Sequence, residues 1–171
     1  MPKIAVILGS DSDLPKIKDC VSFLQEVKID FEVNILSAHR LPDETASFCK
    51  NAKANGFEII IAAAGLAAHL PGVCASHTDL PVIGIPLTSK DSDGKDALLS
   101  IVQMPPGVPV ATVGINNSKN AAVLAAKILA LKYPDLSDKL KNIKDKNIQT
   151  LKEKNRILKE KGLERYLEEK K

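Results

Sequence analysis

Short runs rich in valine and isoleucine recur along the first 115 residues, and segments of helical periodicity separate them. The runs are Lys3–Leu8, Phe31–Leu36, Phe57–Ala63, Pro81–Ile85 and Pro109–Ile115. Branched side chains in runs this short read as strands. Three are nearly continuous in apolar residues, which suits a parallel sheet covered on both faces. Between them, Ile17, Cys20, Val21, Leu24 and Val27 recur at helical spacing, as do Thr45, Phe48, Cys49 and Ala52. Further helices are expected within Ala67–Ser76, over Lys95–Val102 and over the alanine-rich Asn117–Tyr133. Repeated strand–helix units require right-handed crossovers and a three-layer α/β/α sandwich. Five strands are too few for a closed eight-stranded barrel.

Pro134 closes this pattern. Residues 1–133 are read as one α/β domain and residues 134–171 as a helical extension. Leu136, Leu140, Ile143 and Leu151 form a stripe over Leu136–Lys154 that needs a partner, either the chain's own domain or a neighbouring subunit. Gly162 interrupts before Leu163, Tyr166 and Leu167.

Charge is unevenly placed. Residues 1–131 carry 11 basic and 13 acidic side chains, and residues 132–171 carry 13 basic and 8 acidic. The extension mixes both signs and lacks the readout chemistry of a nucleic-acid binder, so no nucleic-acid partner is expected. No apolar run reaches the roughly 18 residues of a membrane span, and Met-Pro-Lys leads straight into a strand without a cleavage site. Cys20, Cys49 and Cys74 are scattered and odd in number. They read as buried and reduced, in a cytoplasmic protein.

In an open parallel sheet ligands bind outside the carboxyl ends of the strands. The first exit is Gly9-Ser10-Asp11-Ser12-Asp13. Its hydroxyls and free amides suit a phosphate and its aspartate a sugar hydroxyl; equally, Ser12 or Asp13 suits a helix cap, with Pro15 in the first turn. The second exit is Ser37-Ala38-His39-Arg40. A guanidinium is a bidentate partner for phosphate, and a histidine titrates near about pH 6.5, so it exchanges a proton at neutral pH. The alternative is a structural histidine and an arginine paired at the surface. The third exit, Ala64 to Gly72, is small and carries His69, either as a loop-fixing residue or as part of the site. The fourth, Pro86–Gly94, is polar and suits a lid. Met104-Pro105-Pro106-Gly107 is a stiff turn, fit to wall a pocket or to redirect the chain. His77 reads as structural. The histidines and cysteines lack metal-site spacing, so no metal is expected. No dinucleotide, P-loop or nucleophile-elbow motif is present.

Five ordered stretches carry a resemblance: GSDSD at Gly9–Asp13, SAHR at Ser37–Arg40, AGLAAHLPG at Ala64–Gly72, PVIGIP at Pro81–Pro86 and SIVQMPPGVPVAT at Ser100–Thr112. Together with the pattern from Ile115 to Leu129 they resemble the class I N5-carboxyaminoimidazole ribonucleotide mutases of purine biosynthesis. The resemblance implies a flavodoxin-like fold and a homo-octamer with sites between subunits. The implied activity turns N5-carboxyaminoimidazole ribonucleotide into 4-carboxy-5-aminoimidazole ribonucleotide (CAIR) without ATP, metal or organic cofactor. Carried onto this chain, it places Ser10, Ser12 and Arg40 at the phosphate and ribose end and Asp13 on ribose hydroxyls. Ser37 and His39 fall at the reacting ring and carboxylate. Gly65, Ala67, Ala68, His69 and Leu70 belong to the loop over the base. Leu66 stands where the family usually has glycine. The animal-type class, which carboxylates 5-aminoimidazole ribonucleotide (AIR) with CO2 directly, typically has lysine after the histidine and lacks AAHLPG.

Overall fold

A computed structural model describes residues 2–169. Five parallel strands form one sheet: β1 (Lys3–Leu8), β2 (Asp30–Ile35), β3 (Phe57–Gly65), β4 (Val82–Leu87) and β5 (Ala111–Thr112). Their spatial order is β2-β1-β3-β4-β5, all parallel. This is the flavodoxin-like three-layer α/β/α sandwich, with its order reversing between β1 and β3.

The period-two geometry of a strand sorts the sheet into two faces. Ile4, Val6 and Leu8 of β1, Ile59 and Ile61 of β3, and Ile83, Ile85 and Leu87 of β4 point to one face. There they meet α1 (Lys18–Glu26), α5 (Ser118–Ala130) and the start of α6 (Pro134–Lys161). Ala5 and Ile7, Ile60, Ala62 and Ala64, and Val82 point to the other face. They meet α2 (Pro42–Asn51), α3 (Leu70–Ser76) and α4 (Lys95–Val102), which contribute Cys49, Cys74, Ala97 and Ile101.

Several boundaries differ from those expected. β3 and β4 run two residues past the apolar stretches expected for them, carrying the ladder to Gly65 and Leu87. β5 shrinks from the expected Pro109–Ile115 to two residues, because only Ala111 and Thr112 pair with β4, opposite Ile83 and Gly84. α3 falls within Ala67–Ser76 as expected; it begins at Leu70, so Ala67, Ala68 and His69 belong to the loop before it. α6 continues to Lys161, seven residues beyond the expected Lys154, and at about 1.5 Å per residue it is about 42 Å long.

The apolar stripe of α6 divides along its length. Leu136 is buried in the chain's own core, with Leu140 and Ile143 packed against it. The Lys139 ammonium donates to the Val27 carbonyl at 2.7 Å. Leu151 is 66% exposed. Gly162, at φ 77°, ends the helix before α7 (Leu163–Glu168). Among the described residues no helix is long and apolar enough to cross a membrane.

Candidate active site

The carboxyl ends of β1, β2, β3 and β4 open into one cleft of about 840 Å³. After β1 the chain turns at Gly9, and Ser10 takes an extended conformation (φ −154°, ψ 151°). Its hydroxyl caps the following 3-10 helix, Asp11–Ile17, accepting from the Ser12 amide at 3.3 Å. The cap is thus Ser10, neither Ser12 nor Asp13. The Ser12 hydroxyl donates to Ser10 Oγ at 3.0 Å, so both hydroxyls sit together at the cleft wall. In a 3-10 helix side chains three apart eclipse. Asp13 and Lys16 therefore meet, with Nζ 2.9 Å from Oδ1. The same ammonium donates to the Thr88 carbonyl at 2.6 Å, which joins the first exit to the fourth.

After β2, a turn closes when the amides of Arg40 and Leu41 donate to the Ser37 carbonyl at 3.2 and 2.8 Å. The Arg40 guanidinium donates to the Gly9 carbonyl at 2.8 Å. One contact thereby fixes the second exit against the first. His39 leaves this turn to meet His69 from the third exit. His39 Nε2 and His69 Nδ1 lie 3.2 Å apart, with the rings stacked at a centroid distance of 5.2 Å. One of these nitrogens must carry the hydrogen and the other the lone pair. The contact thus joins the loops after β2 and β3 through their two imidazoles.

The third exit depends on backbone conformation. Gly65 lies against the neighbouring strand so closely that a Cβ would sit 3.2 Å from the Leu87 carbonyl oxygen. Leu66 has φ 55°, the left-handed region a bulky residue rarely enters. The leucine therefore keeps the backbone angle a glycine would take, and it places a half-exposed apolar side chain on the cleft wall. Two tight turns follow, Ala68 N to Leu66 O at 2.8 Å and His69 N to Ala67 O at 2.7 Å. At the fourth exit the Thr88 amide donates to Asn116 Oδ1 at 3.1 Å, and Asn116 Nδ2 donates to Thr88 Oγ1 at 2.9 Å. Thr88 through Asp91 line the cleft, whereas Ser92 turns away to donate to Asp96 in α4.

Ser10, Ser12, Asp13, Ser37, His39, Arg40, Gly65, Ala67, His69 and Leu70 all line this one cleft. Ala68 does not: it is buried in the core beneath the loop. The Met104–Gly107 turn and His77 also lie outside the cleft lining. Thr88 lines it as part of the expected fourth exit, and Lys16 lines it without having been expected there. The signal for Lys16 is the spacing of Asp13 and Lys16 around Pro15; its second partner, the Thr88 carbonyl, leaves no signal, since a backbone carbonyl carries no residue-type information.

Among the described residues no group of three or more His, Cys, Asp or Glu side chains could hold a metal ion. All three cysteines are free and buried. Burial pushes the Cys20 thiol up to about 12, and contact with Cys49 followed by burial pushes the Cys74 thiol up as well.

Comparison with known proteins identifies the family. The model of the family described as AIR carboxylase matches residues 3–150. The chain belongs to the AIR carboxylase family. It is an enzyme of that family. It is 52% identical to the N5-carboxyaminoimidazole ribonucleotide mutase of Thermotoga maritima over 170 residues, 99% of each chain. It is 48% identical to the phosphoribosylaminoimidazole carboxylase of Schizosaccharomyces pombe, covering 96% of this chain and 30% of that protein. A crystal structure of PurE from Treponema denticola superimposes with a TM-score of 0.85 at 29% identity, covering 93% and 99% of the two chains. Family membership accounts for the fold, and the switch between β1 and β3 accounts for where the cleft opens.

Proposed function

We propose that the cleft converts N5-carboxyaminoimidazole ribonucleotide into CAIR, with His39 as the acid and base. The family supports the mutase reaction class, and the observation that carries the residue assignment is the His39–His69 pair in the cleft that also holds Arg40, Ser10, Ser12 and Asp13. In this reading Arg40 and the two serine hydroxyls take the phosphate and ribose end, and Asp13 accepts from ribose. Gly65, Ala67 and Leu70 lie along the base, with Ser37 beside the carboxylate. Ala68 supports that loop from beneath. Holding the nucleotide by its phosphate fixes the reacting ring without spending contacts on it.

The chemistry balances around one proton. The bond between the exocyclic nitrogen and its carboxyl breaks, and its electrons stay on nitrogen, which takes a proton from His39. CO2 and AIR then share the cleft. Ring C4 attacks the CO2 carbon to form the new C–C bond, and His39 takes the C4 proton back. His69, within hydrogen-bond reach, orients the His39 ring and receives or returns its proton. Keeping CO2 beside C4 replaces a bimolecular encounter, an effect reaching roughly 7–11 kcal/mol in the best cases. A closed cleft prevents its escape. The half-exposed Leu66 side chain and the polar segment Thr88–Asp91 are the groups placed to cover it.

The homo-octamer that goes with this reading draws support from apolar side chains left on the surface, among them Leu131 at 90% exposure and Leu151 on α6. Sedimentation velocity tests it, and a monomer at micromolar concentration rejects it. A cytoplasmic setting suits three free cysteines.

A paired product assay tests the reaction. One arm supplies freshly made N5-carboxyaminoimidazole ribonucleotide at low bicarbonate, the other AIR with high CO2. CAIR formed fast in the first arm and slowly at most in the second is the expected result. Turnover confined to the second arm assigns direct carboxylation, the activity named for the Schizosaccharomyces pombe relative.

A further inference from the structure

We infer that Lys16 is a positioning residue for the ribose end of the substrate, acting through Asp13 and the Thr88 carbonyl. This inference rests on the mutase reading above, in which Asp13 accepts hydrogen bonds from the ribose. Lys16 stands outside the sequence stretches that carry the resemblance. Its place in the cleft follows from two contacts, 2.9 Å to Asp13 Oδ1 and 2.6 Å to the Thr88 carbonyl.

A lysine side chain loses up to about 2 kcal/mol of conformational freedom when it is fixed. An exposed ion pair seldom offsets that. This one is not an exposed pair: side-chain exposure is 29% for Lys16 and 16% for Asp13. The ammonium also has a second acceptor, reached across 72 positions of chain. Two of its three donors are thus committed, one to each wall of the cleft.

The consequence for Asp13 is specific. A carboxylate beside a cleft has several rotamers and two equivalent oxygens. Lys16 holds Oδ1, so Oδ2 is the oxygen presented to a ligand hydroxyl. The consequence for the fourth exit is equally specific. Thr88 begins the segment Thr88–Asp91 that lines the cleft, and Asn116 already holds its amide and hydroxyl. Lys16 holds its carbonyl. Thr88, the root of that segment, is therefore anchored through both of its flanking peptide groups, by its amide and by its carbonyl.

Pre-organisation of this kind acts on binding more than on the chemical step. The test compares wild type, Lys16→Met, Lys16→Arg, Asp13→Asn and the double variant Asp13→Asn/Lys16→Met. Calorimetry reads the affinity for CAIR, and steady-state assays with N5-carboxyaminoimidazole ribonucleotide read KM and kcat. Lys16→Met is expected to weaken CAIR binding about tenfold, in the range of a lost charged hydrogen bond, and to raise KM alike while kcat stays within about threefold. Lys16→Arg should recover most of the affinity, since it keeps the charge and two donors. In the Asp13→Asn background the lysine substitution should add little, because the two act as one unit. Thermal melts of each variant separate folding from binding, and Lys16→Gln replaces Lys16→Met if the latter melts early.

Wild-type affinity in Lys16→Met would overturn the inference, as would a fall in kcat at constant KM or losses that multiply fully in the double variant. Failure of the wild-type protein to bind CAIR would instead remove the mutase reading itself, and it would show before any substitution is made.

Discussion

The two faces of the sheet are built differently. The face under α1 and α5 is filled with large branched side chains: Ile4, Val6, Leu8, Ile59, Ile61, Ile83, Ile85 and Leu87. The strands present smaller residues under α2, α3 and α4, where Ala5, Ala62 and Ala64 stand beside Ile7, Ile60 and Val82, so this second face is the thin one. Gly84 belongs to this second face. A Cβ there would lie 2.4 Å from Ile101 Cγ2 and 2.9 Å from Val110 Cγ1. Small residues let helices approach the sheet closely. α2 and α3 are the helices that follow His39 and His69, so the thin face carries the two imidazoles of the cleft. Ser10, Ser12, Asp13 and Lys16 lead into α1, on the thick face. The comparison therefore sets the wall that carries both imidazoles apart from the wall that carries Ser10, Ser12, Asp13 and Lys16, with Arg40 reaching from the first to Gly9 of the second.

The sharpest way to break that separation is His39→Asn. Loss of a general acid–base typically costs 10²–10⁴ in rate, equivalent to roughly 3–5 kcal/mol of barrier. The expected outcome is a turnover loss of that order, read with N5-carboxyaminoimidazole ribonucleotide, while CAIR affinity stays within about threefold. A variant that lost affinity and turnover together would show that the two walls are not separable.

Much of this organisation was legible in the sequence, and the reasons differ by element. β1, β3 and β4 are buried on both faces, so continuous apolar runs such as Ile59-Ile60-Ile61 announced them. β5 was overread because Pro109–Ile115 has strand composition, while pairing is decided by β4, which offers partners only to Ala111 and Thr112. β2 is an edge strand, with Val33 and Ile35 half exposed, and its short run of branched residues still marks it. The cleft residues could be found one exit at a time because parallel strands point all their carboxyl ends the same way. Their pairing could not. His39 and His69 come from strands on either side of β1, and only the order β2-β1-β3 brings their loops together. Ala68 was misplaced for a related reason: in a loop of small residues, composition does not say which one faces down.

The next largest effects concern stability and contrast the faces directly. Ile61, fully buried on the thick face, is expected to cost about 2–5 kcal/mol when cut to alanine, the transfer loss plus a cavity. Gly84→Ala on the thin face adds an atom instead of removing atoms. It should cost about 1–3 kcal/mol by overpacking. Chemical denaturation measures both. The informative part is what happens in the cleft. Ile61→Ala should leave CAIR affinity nearly unchanged, whereas Gly84→Ala displaces Ile101 or Val110 beneath the loops and should lower turnover as well. Equal catalytic effects from the two would mean that the thin face owes nothing to its closeness.

The smallest expected effect lies at the opposite end of the sheet from the cleft. Glu58, at the start of β3, accepts from the Tyr133 hydroxyl at 2.6 Å and from the Lys132 ammonium at 2.8 Å. Burial works to raise its carboxyl, but the hydrogen bonds from Lys132 and Tyr133 and the lysine charge outweigh it and hold Glu58 below its usual value of 4.5. A carboxyl lowered in the folded state stabilises the fold above its unfolded value. That contribution is lost as pH falls through the lower, folded value. Tyr133→Phe removes one hydrogen bond and should cost about 0.5–1.5 kcal/mol near neutral pH. Glu58→Gln should likewise melt below wild type at pH 7. The gap between Glu58→Gln and wild type should begin to narrow as pH falls through the unfolded glutamate value of about 4.3 and go on narrowing until the lower, folded value is passed. Thermal melts from pH 7 down to pH 3 follow it. A gap that stayed constant over that range would show that Glu58 acts as a neutral hydrogen-bond acceptor. Because the contact ties the end of α5 to the amino end of β3, neither substitution should change CAIR affinity, and any change would couple the thick face's far end to the cleft.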